Sequence, residues 1–306
     1  MIIEQNSEFK AMRLLTRYWY RDFSAYEMAE EAKISVPTAY KVIKKLKIKD
    51  VITEEKRRVK LDFNNIFSYS FKIMCDSEKI LDLSKEEQSK VNHVFNVFRK
   101  EYERDLLAFI IFGSASMNEQ TKDSDIDFLV ITGKKKDINY RKKGLLSLGN
   151  LNIIEKEQNE FENDYLLAND LVLNALMNGI ILFDNGLIRF LLNKPLPKPS
   201  YEVIMQKKER LDVLKERLFT LLKDESYKEL VEQLKLFLIE KARILLLEKE
   251  IIPISKKNII DNIKRENKQL YNDYSSLNEK NVKEIFQKNV WKSQKQFRIY
   301  KEETWK

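Results

Sequence analysis

The residues best suited to chemistry lie in one short stretch, 113–131. Asp125 and Asp127 stand two apart, and in a strand residues so spaced leave the same face of the sheet. Paired carboxylates of that kind suit a hard cation such as Mg²⁺ (or Mn²⁺), which takes one or two carboxylates and completes its shell with substrate phosphates. Ahead of them lies Gly113–Ser114, a turn that can open a short helix and offer backbone N–H groups and a hydroxyl to a phosphate. An apolar run precedes the turn (Leu106–Phe112) and another follows the acids (Phe128–Ile131); both read as buried strands. Strand, phosphate turn and paired-carboxylate strand make a plan for moving nucleotides. Two exposed acids on an edge strand are the alternative.

This arrangement resembles the nucleotidyltransferases of the DNA polymerase β superfamily, in particular the minimal nucleotidyltransferases. Their motif is an apolar strand, Gly-Ser, a spacer, then Asp-hydrophobic-Asp in a second strand, and Gly113, Ser114, Asp125 and Asp127 meet it. The resemblance implies Mg²⁺-dependent transfer of a nucleoside monophosphate from an NTP to an acceptor. Asp125 and Asp127 would be the metal ligands, and Gly113, Ser114 and Ser124 would bind the nucleotide. The acceptor stays open between a protein hydroxyl, a tRNA end and a small molecule. In that family a third acid on a later strand helps to activate the attacking hydroxyl. Here the strand Leu151–Ile154 carries Asn152 in that catalytic place, and an amide can neither accept the proton nor give a metal full negative charge. Glu155 is near, but alternation puts it on the opposite face unless the strand end bends. The phosphate turn also lacks the arginine that often follows it, and Asn118 stands where a left-handed residue is wanted. The Asn152 substitution admits a second function, a transcription regulator whose degenerate nucleotidyltransferase domain senses a nucleotide without turnover.

The N-terminal segment, 1–63, reads as three helices and a hairpin. Ala11, Leu14, Leu15 and Tyr18 form the apolar stripe of the first helix, within 7–21. Ser24 can cap a second helix, and Ser35 a third with Pro37 in its first turn. Val51–Thr53 and Val59–Leu61 read as strands around a tip at Glu54–Arg58. The pattern resembles a winged helix-turn-helix. Residues 41–60 hold nine Lys and Arg against three Asp and Glu, a net of +6 that suits double-stranded DNA. The candidate contacts are Ser35, Thr38, Tyr40, Lys41, Lys44, Lys45, Arg57, Arg58 and Lys60. A solvated basic helix or a protein-binding winged helix is the alternative, and Tyr40 could equally pack against the wing.

The remaining sequence supplies supporting elements. Residues 64–104 read as two connecting helices joined near Asp82–Lys85, with Ser84 capping the second. Residues 105–194 complete the nucleotidyltransferase-like unit, with Lys134–Lys143 as a helix start or a triphosphate guide, a helix at Phe161–Met177 and a strand at Gly179–Phe183. Pro195, Pro197 and Pro199 mark a stiff linker. Residues 200–306 then read as a four-helix bundle, with Pro253 ending one helix, Ser255 capping the next and Asn281–Tyr300 forming the last. The fold class expected is α/β (α+β), multidomain. A bundle in that position could hold the acceptor, pack internally or make a homodimer.

Composition sets outer limits. Lys and Arg total 56 against 48 Asp and Glu, a formal net of +8 that fits a nucleotide or nucleic-acid partner. The only histidine, His93, argues against a His-based metal site or a Ser-His-Asp triad. The lone Cys75 excludes an internal disulfide and fits a cytoplasmic location. No run approaches the roughly 20 apolar residues of a membrane span, and the start of the chain lacks a signal-peptide pattern.

Overall fold

The computed structural model describes residues 6–117, 124–253 and 256–291. They divide into two compact units, Met1–Leu166 with Leu171–Pro197, and Lys198–Lys306 with Leu167–Asp170.

The first unit opens with α1 (Ser7–Arg17), α2 (Ala25–Ala32) and α3 (Val36–Ile48). Each begins where a small polar side chain can accept from an orphan backbone N–H: Asn6 caps α1, Ser24 caps α2 and Ser35 caps α3. Ala11, Leu14, Leu15, Met28, Ala29, Ala39, Val42 and Leu46 are buried, whereas Ile43 and Tyr18 are only half-buried. The strands β1 (Ile52–Glu55) and β2 (Arg58–Leu61) pair antiparallel around a two-residue turn. Lys56 and Arg57 both take positive φ there, 49° and 63°, the twist that tight hairpins favour. Phe23 bridges to Val59 and closes α2 onto the hairpin.

Two further helices, α4 (Ile66–Ile80) and α5 (Lys85–Tyr102), follow, and Ser84 and Glu87 form a capping box at the start of α5. Then come β3 (Leu106–Phe112), α6 (Ser114–Met117), β4 (Ile126–Thr132), β5 (Leu151–Glu157), α7 (Gln158–Leu166), α8 (Asp170–Asn178), β6 (Ile180–Asp184) and α9 (Leu187–Leu192). The sheet order is β5-β4-β3-β6, with β4 and β5 parallel and the other pairs antiparallel. β3 reads Leu-Leu-Ala-Phe-Ile-Ile-Phe and is almost wholly buried, as a central strand covered on both faces must be. Val91, Val94 and Phe98 of α5 share a core with Phe109, Phe128 and Val130.

Polar contacts tie the N-terminal helices to this sheet. Lys72 and Asp76 of α4 form a buried pair, and Asp76 also accepts from the Ile181 N–H of β6 at 3.2 Å. The Trp19 indole donates to the Leu176 carbonyl at 3.1 Å, and Arg189 of α9 donates to the Phe63 carbonyl at 2.7 Å.

Some expected elements differ. The single helix expected at 161–177 is two, broken at Ala168, which is buried with φ of 54°. Lys134–Lys143 forms no helix. It is a loop pinned by carboxylates: Lys135 pairs with Glu160, Lys136 with Asp105 and Lys143 with Glu101.

The second unit is helical throughout its described part: α10 (Tyr201–Lys223), α11 (Tyr227–Glu248), α12 (Lys256–Glu266), α13 (Lys268–Ser276) and α14 (Val282–Phe286). Leu218, Leu230, Leu234, Phe237, Ile259, Leu270 and Phe286 build its core. Among the described residues there are five helices rather than the expected four, because Asn267 caps a new start by accepting from the Leu270 N–H at 3.0 Å. The helix expected at Asn281–Tyr300 runs as α14 and then widens into a π-type turn at Gln287–Trp291. Its residues beyond 291, together with Ser255 and Asn118, lie outside the described residues. No helix among the described residues is long and apolar enough to cross a membrane.

Candidate functional site

Strand register builds the site. Phe112, the last residue of β3, pairs with Asp127 of β4, and Asp127 pairs in turn with Asn152 of β5. The end of β3 and the starts of β4 and β5 therefore set a turn, a carboxylate and an amide in a row. The turn is Gly113, with φ of 72°. A Cβ there would sit 2.1 Å from the Asp127 Oδ2, so only glycine allows the carboxylate to lie against the backbone. Ser114 opens α6 and is half-buried. Ser116 closes the turn from below, its hydroxyl donating to the Gly113 carbonyl at 2.9 Å.

The two oxygens of Asp127 have different surroundings. Oδ2 faces Gly113, and Oδ1 accepts from Asn152 Nδ2 at 2.8 Å. Partial burial raises the Asp127 pKa, the Asn152 hydrogen bond pulls it back down, and the charge of Asp125 pushes it up again. Asp125 sits one residue ahead of β4 and is exposed, yet close enough for its charge to be felt at Asp127. Ser124, just before it, is half-buried.

Glu155 does not join this group. In the β5 register it lies opposite Val130, on the other face from Asn152, and it accepts from the Tyr102 hydroxyl at 2.5 Å and from the Tyr140 hydroxyl. Burial and the adjacent carboxylate push Tyr102 up to about 12 and move Tyr140 in the same direction. Strict alternation holds to the end of the strand, and no bend brings Glu155 round. Sequence reading missed these tyrosines, since nothing local marks Tyr102 and Glu155, 53 positions apart, as partners.

Asp125 and Asp127 are carboxylates at this end of the sheet that could hold a hard cation of the Mg²⁺ type. Among the described residues, no group of three or more His, Cys, Asp or Glu could hold a metal ion.

The second candidate surface is the face of α3 and the hairpin. Ser35 accepts from the Thr38 N–H at 3.3 Å, and the two hydroxyls lie 2.7 Å apart, so both residues are occupied in the cap. Tyr40 is exposed and meets Tyr26 of α2 edge-on, with ring centroids 6.4 Å apart. Lys45 pairs with Glu8, and Arg58 pairs with Glu27 at 2.9 Å while donating to the Asp22 carbonyl at 2.8 Å. Lys41, Lys44, Arg57 and Lys60 are exposed and have no carboxylate partner among the described residues.

Residues 90–186, from within α5 to just past β6, match the family described as Polymerase beta, Nucleotidyltransferase, and form a nucleotidyltransferase-type domain. A solved structure of a nucleotidyltransferase-like protein from Exiguobacterium sibiricum 255-15 is 17% identical over 59% of this chain, with a TM-score of 0.36. The alignment spans 64% of that protein's chain, less than two thirds. No curated protein matches this chain.

Proposed function

We propose that the protein is a divalent-metal-dependent nucleotidyltransferase that moves a nucleoside monophosphate from an NTP to an acceptor hydroxyl. The observation that carries this reading is the Phe112–Asp127 register, which sets a carboxylate directly against a glycine turn. Asp125 and Asp127 are the residues that would hold the cation, which when bound neutralises triphosphate charge. The Ser114 hydroxyl and the backbone N–H groups of the turn are suited to the β and γ phosphates. The acceptor oxygen forms a bond to the α-phosphorus, the α–β anhydride breaks, and pyrophosphate leaves. Asn152 cannot take the acceptor's proton, so the proton passes to solvent and turnover is slow. The test is incubation with α-³²P-labelled NTPs. Wild type labels an acceptor, and the double variant D125N/D127N does not; equal labelling by both removes the enzyme reading.

The N-terminal unit is proposed to act as a winged helix-turn-helix on double-stranded DNA, through Lys41, Lys44, Arg57 and Lys60. That they have no carboxylate partner among the described residues supports this, whereas Lys45 and Arg58 already serve Glu8 and Glu27. Changing those four to Ala should weaken DNA binding and lower its salt slope by about four. Unchanged binding in a gel shift would assign the surface to protein contacts.

A second reading, a nucleotide-sensing regulator, is favoured by the amide that occupies Asp127. Thermal stabilisation by an NTP with Mg²⁺, without pyrophosphate release, would select it.

A further inference from the structure

We infer that this site takes one divalent cation with its nucleotide and that the Asn152 amide closes the position of a second. The inference rests on the nucleotide reading above and specifies how the same site is loaded.

Three observations carry it. Asn152 stands in parallel register with Asp127, and its Nδ2 donates to Oδ1 at 2.8 Å. That oxygen therefore meets the positive end of an amide where a second ion would need it. A cation arriving from the β5 side must first break this bond, and the freed Nδ2 is still a donor with no lone pair for a metal. Asn152 is also exposed at the sheet end, so its amide and the Asp127 oxygen it holds lie where an ion could reach them from solvent.

Among the described residues, the carboxylate further along β5 is committed elsewhere. Glu155 lies on the opposite face, holding Tyr102 and Tyr140. The described residues thus supply two carboxylates and one donor amide. Two cations in a shared site stand about 3.5–4 Å apart and repel strongly, so they need several bridging or terminal anions between them. Asp125 and Asp127 can satisfy one. Turning the Asn152 side chain over would present a neutral carbonyl, which adds a ligand atom but no compensating charge.

The oxygen of Asp127 that remains near Gly113, and the carboxylate of Asp125, are then the groups left for a single ion carrying the triphosphate. Asn152 acts in this account as a positioning residue that fixes the Asp127 carboxylate and sets the metal count.

Equilibrium dialysis of the full chain decides the matter. Protein is dialysed against Mn²⁺ and each of the four α,β-methylene NTPs in turn, which cannot transfer their nucleoside monophosphate. The excess of metal over the outer chamber is divided by the excess of nucleotide. The ratio expected is one for wild type and two for N152D. A ratio of two in wild type, or of one in a folded N152D that binds nucleotide, overturns the inference while leaving the nucleotide reading intact. Absence of any bound nucleotide in wild type overturns both. Should N152D fail to fold, the wild-type ratio alone still decides.

Discussion

Gly113 and Asp127 are fourteen positions apart in the chain and in contact in the fold, and this pair sets what the site can do. Residue types and spacing mark Gly113, Asp125 and Asp127 as candidates, because a glycine turn and alternate acids each leave a local pattern. The hydrogen bond from Asn152 was not legible, since it depends on the parallel register of two strands separated by a long loop. Ser116 was equally silent, as a serine closing its own turn looks like any other serine. The close approach at Gly113 gives a sharp prediction. In G113A the added methyl would lie 2.1 Å from Oδ2, and the backbone would have to hold φ of 72° with a side chain. The carboxylate must swing away. Stability should fall by about 1 kcal/mol or more, and nucleotide affinity should fall at least about tenfold, the equivalent of 1.4 kcal/mol. Thermal melts and nucleotide titration measure the two effects; a G113A variant that binds nucleotide as wild type does would detach the turn from the site.

The elements were readable wherever a cap announced them. Ser24, Ser35 and Ser84 each start the helix that the sequence assigned to them. The breaks were not, because Ala168 turns left-handed without glycine's signature and Asn267 caps inside an otherwise helical run. Lys134–Lys143 misled for a related reason: a basic run looks like a solvated helix, but here each lysine that pairs does so with an acid brought from elsewhere in the chain. The capping box at α2 carries a pH prediction. Glu27 is held down at about 2, first by the Ser24 N–H, then by the Ser24 hydroxyl and Arg58. A carboxylate depressed in the folded state adds stability above its unfolded pKa, near 4.5, and loses it as pH falls toward 2. E27Q should therefore be less stable than wild type at pH 7 by about 1 kcal/mol or less, since the group is largely solvent-facing. The gap should close between pH 4.5 and 2. A gap that stays constant across that window would mean that Glu27 acts through shape alone. Glu155 gives the complementary prediction. Removing its charge weakens both tyrosine hydrogen bonds, so E155Q should cost about 1–3 kcal/mol and loosen the 134–143 loop. Nucleotide binding should stay within about twofold, well under 1 kcal/mol. Loss of binding without loss of stability would bring Glu155 back to the site.

At the scale of the whole chain, the two compact units have separate cores. Phe98, Phe109 and Phe128 centre one, and Leu230, Leu234, Phe237 and Phe286 centre the other. The units part at Pro197 and Lys198, within the proline-rich stretch, and Leu167–Asp170 belongs to the second. A core of this kind can unfold as its own cooperative transition, so the expected calorimetric trace has two unfolding transitions rather than one. The glycine turn and both aspartates belong to the first unit. A ligand that binds only the folded form of that unit stabilises it by mass action, about 2.7 kcal/mol at a hundred times its Kd. For a unit of this size that corresponds to a rise of roughly 5–10 °C in one melting temperature. Saturating NTP with Mg²⁺ should thus move one transition and leave the other in place. D125N/D127N should abolish the shift without altering the unliganded melt by more than about 1 kcal/mol, because Asp125 is exposed and Asp127 only half-buried. If nucleotide raises both transitions equally, the ligand is contacting the second unit as well. If it raises neither at any concentration, the turn and its acids do not bind nucleotide.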